Sequence, residues 1–164
     1  MLPSEARRWG FQDDPRAISV FDFIPAPTLA GEPDVDLRRA CGVADDVPLI
    51  GYFGRFTKAK GVHLLLRALG ILRRRGVVFH AVFVGPVPAA PAPSWRTRLA
   101  SCCGREAYIT SVRRIIAVEQ LEDRVTFTGE HTNVDELVPQ CEILAAPFTE
   151  PHFSRLCGEA ALAG

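Results

Sequence analysis

The fold of this chain is decided by one stretch near its end, Ile143-Leu-Ala-Ala-Pro-Phe-Thr-Glu-Pro-His-Phe-Ser-Arg-Leu-Cys-Gly-Glu-Ala-Ala-Leu-Ala-Gly164. The apolar run of its first four residues predicts a buried strand. Pro147 and Pro151 cannot donate a backbone hydrogen bond to a sheet, so they end that strand. The chain then passes through an acidic and aromatic elbow to Ser154, a residue type that commonly starts helices. The stretch therefore predicts a strand that leads directly into a helix start.

The helix after this elbow is predicted to run from Arg155 to Ala163. The backbone N–H groups at a helix start, together with its partial positive charge, favour an anion. Glu150 lies before the turn and Glu159 lies within the helix, and carboxylates of this kind can accept hydrogen bonds from sugar hydroxyls. A phosphate at the helix start and a sugar at the carboxylates are the ligand groups that this stretch indicates.

Three strand–helix units precede this stretch. Apolar, β-branched runs predict the strands, and apolar residues at helical spacing predict the helices. The predicted strands are Leu49–Phe53, Val77–Val84, Arg124–Thr128 and Cys141–Pro147, and the predicted helices cover residues 62–75, residues 106–120 and a short segment after Asn133. The order β-α-β-α-β-α-β-α predicts a Rossmann-like α/β fold, in which a parallel sheet carries helices on both faces.

In open parallel sheets, ligands bind beyond the carboxyl ends of the strands. The residues that follow the predicted carboxyl ends include Arg55, Lys60, Gly85, Gly129 and Glu150. We therefore expect these residues to converge on one edge of the sheet.

Several polar residues have structural interpretations. His63 is predicted to be solvated on the polar face of its helix, and His80 is predicted to be a core histidine within an apolar strand. Asn133 with Glu136 three positions later resembles a helix-capping arrangement. These residues are predicted to serve the fold and not a reaction.

The first 48 residues are weakly patterned and predict a linker, with the folded domain covering residues 49–164. Within the linker, Ala17–Ile24 predicts a short strand and Asp34–Cys41 a short helix that ends at Gly42. Residues 86–104 form a Pro/Ala-rich insertion with no pattern of regular structure.

Composition restricts the function classes. Basic and acidic residues number 19 each, so no bulk field favours nucleic acid as a partner. The five cysteines are odd in number and form no CxxC pair, which favours a reduced, cytoplasmic protein. No signal peptide and no transmembrane segment are predicted. A zinc site that uses Cys141 or Cys157 is conceivable, but the spacing matches no ligand pattern.

The loop after the first strand, Gly54-Arg-Phe-Thr-Lys-Ala-Lys-Gly61, places two cations beside a helix start. Arg55 can bind a diphosphate through two hydrogen bonds, and Lys60 can act on it as a point charge. The loop lacks the Gly-Lys-Ser/Thr of a P-loop. From this loop alone, a solvated basic loop and a diphosphate site both remain open.

Four ordered segments over residues 49–164 resemble the C-terminal, donor-binding domain of GT-B-fold retaining glycosyltransferases of the family 4, group 1 type. The segments are Phe53-Gly-Arg-Phe-Thr-Lys-Ala-Lys-Gly61 with the helix after it, Val82-Phe-Val-Gly85, Leu121-Glu-Asp-Arg-Val-Thr-Phe-Thr-Gly129, and Glu-Pro-x-Phe-Ser-Arg-x-x-x-Glu-Ala-x-x-x-Gly at the elbow. Two departures occur in the elbow. Ser154 replaces the usual Gly, and the two glutamates are nine positions apart where the family has eight, with His152 as the extra residue.

The resemblance implies a role for each candidate site residue. Arg55 and Lys60, in the loop that begins at Gly54, would hold the diphosphate of a nucleotide-sugar donor. Glu159 would accept hydrogen bonds from the ribose, and Glu150 would contact the transferred sugar. Backbone N–H groups near Phe153, Ser154 and Arg155 would bind the distal phosphate. The reaction implied is sugar transfer with retention of configuration, with no metal and no cofactor other than the donor.

The family's N-terminal, acceptor-binding domain has no counterpart in this sequence. We therefore expect a truncated, partial domain that serves carbohydrate biosynthesis with a missing half, through which peripheral membrane contact is possible. UDP-sugars and GDP-sugars both remain open as donors, and the acceptor is unknown. Two alternatives are a nucleotide-sugar binding module without turnover and an inactive remnant.

Overall fold

The computed structural model describes residues 35–86, 105–150 and 154–163. Four parallel strands form one sheet in the order β3-β2-β1-β4. The strands are β1 (Leu49–Phe53), β2 (His80–Val84), β3 (Val125–Gly129) and β4 (Ile143–Leu144). The helices are α1 (Leu37–Cys41), α2 (Val62–Arg74), α3 (Arg105–Val118), α4 (Val134–Leu137) and α5 (Arg155–Ala163), with single 3-10 turns at Lys58–Lys60 and Val138–Gln140. The prediction of a Rossmann-like parallel α/β fold is confirmed.

One face of the sheet packs against α2 and α3. Its core contains aromatic side chains from β1, β2, β3 and the loop after β1. Phe56 lies 5.6 Å from Phe127, 5.8 Å from Tyr52 and 6.2 Å from Phe83 between ring centroids. Phe56 is the residue next to Arg55 and is buried, so burial of its ring anchors the loop after β1 to the core.

The opposite face packs against α1 and α4. Leu37 and Leu137 are buried there with Leu49, Val82 and Val84 of the central strands. Because helices cover both faces, the central strands are apolar on both sides, as their sequences predict.

The predicted short helix before Gly42 is confirmed as α1. The Asp36 carboxylate accepts a hydrogen bond from the backbone N–H of Arg39 at 3.0 Å, and Gly42 ends the helix at φ 63°. The Gln140 side chain accepts from Leu37 N–H at 2.8 Å and donates to the Val35 carbonyl at 2.9 Å. These bonds join α1, which precedes residue 49, to the 3-10 turn before β4. The division of the chain at residue 49 stays a prediction.

Two strand predictions are wrong in extent. The strand predicted for Val77–Val84 begins only at His80, because His80 pairs with Leu49 at the start of β1 and the preceding residues lie beyond the neighbouring strand. Val77 and Val78 are accordingly exposed. The strand predicted for Cys141–Pro147 is reduced to β4.

Among the described residues, β4 lies at one edge of the sheet and pairs with β1 at two positions, through Ile50 with Ile143 and Gly51 with Leu144. Ile143 is 53% exposed, so its predicted burial is wrong.

The helix starts give mixed results. The Ser154 hydroxyl accepts a hydrogen bond from Cys157 N–H at 3.3 Å, so the predicted N-cap of α5 is confirmed. The Asn133 side chain makes no capping hydrogen bond to α4, so that capping prediction is wrong.

His80 is buried, and its Nε2 lies 2.8 Å from the Thr126 hydroxyl, which confirms a core histidine. Burial, followed by the charge of Arg124, lowers its pKa.

The predicted strand at Ala17–Ile24, most of the Pro/Ala-rich insertion, and residues Pro151, His152 and Phe153 lie outside the described residues.

Candidate functional site

Three glycines form the carboxyl edge of the sheet. Gly54 N–H donates to the Val84 carbonyl at 2.9 Å, and Gly85 N–H donates to the Gly129 carbonyl at 2.7 Å. A Cβ added at Gly85 would overlap the Gly54 carbonyl oxygen. Gly85 thus lets the ends of β1 and β2 approach one another more closely than a side chain would allow.

The backbone of Arg55 is fixed beside this edge. The buried Tyr52 hydroxyl donates a hydrogen bond to the Arg55 carbonyl at 2.9 Å. Burial raises the pKa of Tyr52, so this donor keeps its proton across the physiological range. The Arg55 side chain remains exposed. The loop therefore presents a guanidinium group from a rigid base.

Lys60 is held by the elbow after β4. Its Nζ lies 4.6 Å from the centroid of the Phe148 ring, a cation–π contact. Partial burial and, after it, the charge of Arg55 lower the Lys60 pKa.

Backbone contacts join the Lys60 loop and the elbow into one unit. Thr149 N–H donates to the Ala59 carbonyl at 3.0 Å, and its hydroxyl donates to the Lys58 carbonyl at 3.3 Å. A Cβ at Gly61 would overlap the carbonyl oxygen of Pro147. The position of the elbow is therefore set by the same loop that carries the cations.

A cavity of about 260 Å³ opens at this edge. It brings together the loops after three strands and the first turn of α5, which contributes Leu156. Its lining residues are Phe53, Gly54, Arg55, Val84, Gly85, Pro86, Glu130, His131, Val134 and Leu156. The lining includes a cation, Arg55, and the start of a helix, which both favour an anionic ligand, beside one carboxylate, Glu130.

Two polar atoms near the cavity are buried without a hydrogen-bond partner in the described part of the chain, Thr128 Oγ1 and His131 Nε2. His131 also lines the cavity. The sequence places His131 after a strand end, but it gives no sign that the imidazole is partly buried at the cavity.

The predicted site residues are only partly brought together. Gly54 and Arg55 line the cavity, and Lys60 lies in the adjoining loop. Ser154 caps α5, and Arg155 is exposed in its first turn. Glu150 is exposed directly after Thr149.

Glu159 and Phe153 are the remaining predicted site residues. Glu159 lies within α5, one turn after Arg155. Phe153 lies outside the described residues. The binding role of every predicted residue stays a prediction.

Sequence reasoning missed the supports of these side chains. Tyr52, Phe56, Phe148 and Thr149 hold the Arg55 and Lys60 loop in place. The sequence shows Phe148 and Thr149 as elbow residues but cannot indicate which loop they contact.

Among residues 35–86, 105–150 and 154–163, no group of three or more His, Cys, Asp or Glu side chains could hold a metal ion. Over the same residues, every helix is too short or too polar to cross a bilayer.

The chain belongs to the family of glycosyl transferases group 1, whose pattern matches residues 36–164. It is 29% identical over 114 residues to the alpha-D-kanosaminyltransferase of Streptomyces kanamyceticus. The aligned region covers 68% of this chain and 24% of that enzyme.

Among solved structures, Anabaena HepE in complex with UDP-glucose is 28% identical with a TM-score of 0.61, covering 77% of this chain and 30% of HepE. The sucrose-phosphate synthase of Thermosynechococcus elongatus shares the fold, with 21% identity and a TM-score of 0.61 over 96% of this chain and 35% of that enzyme. The chain thus spans about a quarter to a third of the length of these relatives.

Proposed function

We propose that this chain binds a nucleotide-sugar and forms the donor-binding part of a retaining, metal-independent glycosyltransferase with a GT-B fold. One observation carries the proposal: Arg55 and Leu156, from the loop after β1 and the first turn of α5, line the same cavity at the carboxyl edge of the sheet. A diphosphate placed there would meet a cation and a helix start together.

In this proposal the protein's own cations perform the task that a metal performs in other transferases. Arg55 and Lys60 neutralise the diphosphate and then the charge that develops on the leaving nucleotide. The rigid support of the Arg55 backbone by Tyr52 favours this role, because preorganised charges need no rearrangement as the bond breaks.

The carboxylates are proposed to bind the sugars. Glu159 accepts hydrogen bonds from the ribose hydroxyls, and Glu150 contacts the transferred sugar. The backbone N–H groups that begin α5 bind the distal phosphate. The hydrogen bond that the Ser154 hydroxyl accepts from Cys157 N–H supports this arrangement, because it defines where the helix starts.

We propose UDP as the nucleotide. HepE, at 28% identity, has been crystallised with UDP-glucose, and that complex favours uracil over guanine for the present chain. The acceptor is left open, because the chain spans only 24% of the kanosaminyltransferase.

Calorimetric titration of the chain with UDP and with GDP tests this proposal. We expect UDP to bind and the Arg55→Ala/Lys60→Ala variant to bind it roughly 150-fold more weakly or worse, since two charge-assisted hydrogen-bonding groups are lost. The matched control is Arg39→Ala/Arg113→Ala, which removes two exposed cations that do not line the cavity and should leave the Kd unchanged. A folded parent that binds neither nucleotide, or equal losses in both variants, would overturn the proposal.

A donor-binding module without transfer is the alternative, and the partial coverage of every relative named above favours it for the chain alone. Incubation with UDP-glucose and assay of released UDP separates the two. UDP binding without release in the presence of candidate acceptors indicates the module, whereas no binding at all indicates an inactive remnant.

A further inference from the structure

A second cleft lies between α2 and α3, away from the carboxyl-edge cavity. Its volume is about 650 Å³, and its rim carries more positive than negative charge. The lining residues are Lys58, His63, Arg67, Tyr108, Ser111, Arg114, Ile115, Val118 and Glu119. Nothing in the proposed glycosyl transfer uses this cleft.

The cations of the cleft have no acidic partners. Lys58, Arg67 and Arg114 are exposed and form no ion pair within the described part of the chain. Glu119 is the one carboxylate among the lining residues, and it already pairs with Arg74 on α2. The cleft is therefore a local region of positive potential on a chain whose net charge is zero.

His63 and Tyr108 contact each other in the lining of the cleft. The Tyr108 hydroxyl accepts a hydrogen bond from His63 N–H at 3.3 Å and lies 3.0 Å from His63 Nδ1, and the two rings meet edge to face. Burial lowers the His63 pKa, and the charges of Arg67 and Lys58 lower it further. The prediction that His63 is merely solvated is wrong, because α3 supplies a ring against it.

Exposed apolar side chains flank these cations. Leu64 and Ile71 are 44% and 45% exposed on α2, and they lie one helical turn to either side of Arg67. Val118 is 71% exposed on α3, one turn after Arg114. Cations that alternate with exposed apolar side chains on one helical face are typical of surfaces that lie on anionic lipid, where the cations contact phosphates and the apolar groups enter the headgroup region.

We infer that the α2–α3 face, formed by Leu64, Arg67, Ile71, Arg114 and Val118, docks on an anionic phospholipid surface. A small anion would use the cations but leave the three exposed apolar side chains without a contact. A lipid surface uses both groups at once.

Vesicle cosedimentation of the full chain tests the inference. We expect the chain to sediment with vesicles of phosphatidylcholine mixed with phosphatidylglycerol and not with phosphatidylcholine alone. Arg67→Gln/Arg114→Gln should weaken binding roughly 25-fold, about fivefold for each cation near the surface. Leu64→Ser/Ile71→Ser should weaken the part of the binding that persists at high salt. Circular dichroism establishes that each variant is folded.

The matched control is Arg39→Gln/Arg113→Gln, which changes the net charge equally but lies outside the face. Equal losses in the two double variants would show that only total charge matters and would overturn the inference. So would an absence of sedimentation with the mixed vesicles. Analytical ultracentrifugation distinguishes another occupant: a dimer of the parent that Arg67→Gln/Arg114→Gln dissociates would assign the face to a second copy of the chain.

Discussion

The carboxyl edge of the sheet and the α2–α3 face are built in different ways. At the edge, backbone meets backbone: Gly61 lies against the Pro147 carbonyl, and Gly85 lies against the Gly54 carbonyl with no space for a side chain. On the α2–α3 face, Arg67 and Arg114 extend into solvent with no ion pair in the described residues. The edge is specified by steric fit and the face by charge.

Because of this difference, mutations in the two regions should have different consequences: at the edge they should lower stability, and on the face they should change binding. At the edge, small changes of shape should unfold the protein before they change a ligand contact. On the face, the removal of whole side chains should leave the fold intact and change only what the surface attracts. Three stability measurements test this contrast, from the largest expected effect to the smallest.

The largest effect should come from Gly61→Ala. The new Cβ would overlap the Pro147 carbonyl oxygen at a position whose φ is 70°, so the elbow and the Lys60 loop must separate. We expect a loss of about 3 kcal/mol or more in the free energy of unfolding, from steric overlap added to left-handed strain. Urea unfolding followed by circular dichroism measures it.

Gly76→Ala is the control for this variant. Gly76 has φ 71° but nothing within 4 Å of an added Cβ, so only the backbone strain remains. We expect a loss of about 1 kcal/mol. Equal losses of stability in Gly61→Ala and Gly76→Ala would show that steric overlap with Pro147 adds nothing to the effect at Gly61.

An intermediate effect is expected for Tyr108→Phe. This change removes the hydroxyl that accepts from His63 N–H and contacts His63 Nδ1, while the ring remains. We expect a loss of about 1 kcal/mol in the free energy of unfolding. Ser111→Ala, whose hydroxyl bonds only to the Tyr108 carbonyl in the same helix, serves as the control and should lose less. A larger loss in the control would show that Tyr108 does not join α3 to the start of α2.

The smallest effect is expected for Arg67→Gln/Arg114→Gln. Both side chains are exposed and like-charged, so their removal should change the free energy of unfolding by no more than about 0.5 kcal/mol. The same urea experiment measures it. A loss as large as that of Gly61→Ala would mean that the α2–α3 face supports the fold and is not specified by charge alone.

The strands and helices could be predicted from the sequence where an element carries a long apolar pattern or a clear helix cap. β1 matches its predicted bounds, and α2, α3, β3 and α5 agree within a few residues because each has a long apolar pattern or a clear cap. The prediction was wrong at β2 and β4. The start of β2 depends on where β1 begins to pair with it, and the extent of β4 depends on the two positions at which it pairs with β1. Local sequence carries no information on either partner.

The candidate site could be predicted only in part, for a related reason. Arg55 and Lys60 are recognisable because they stand between two glycines after a strand. The contact of Lys60 with Phe148 joins residues far apart in the chain, so no local pattern indicates it. The same holds for Tyr108 beneath His63.

The sequence by itself determined the order of strands and helices, the family, and which residue types follow each strand end, because these depend on periodicity and on short motifs. Tertiary structure alone decided which loops meet: that the elbow after β4 rests on the Lys60 loop through Thr149 and Gly61, and that the first turn of α5 lines the same cavity as Arg55. These contacts join segments about 90 to 100 residues apart, and they form only after the sheet has brought its strand ends to one edge.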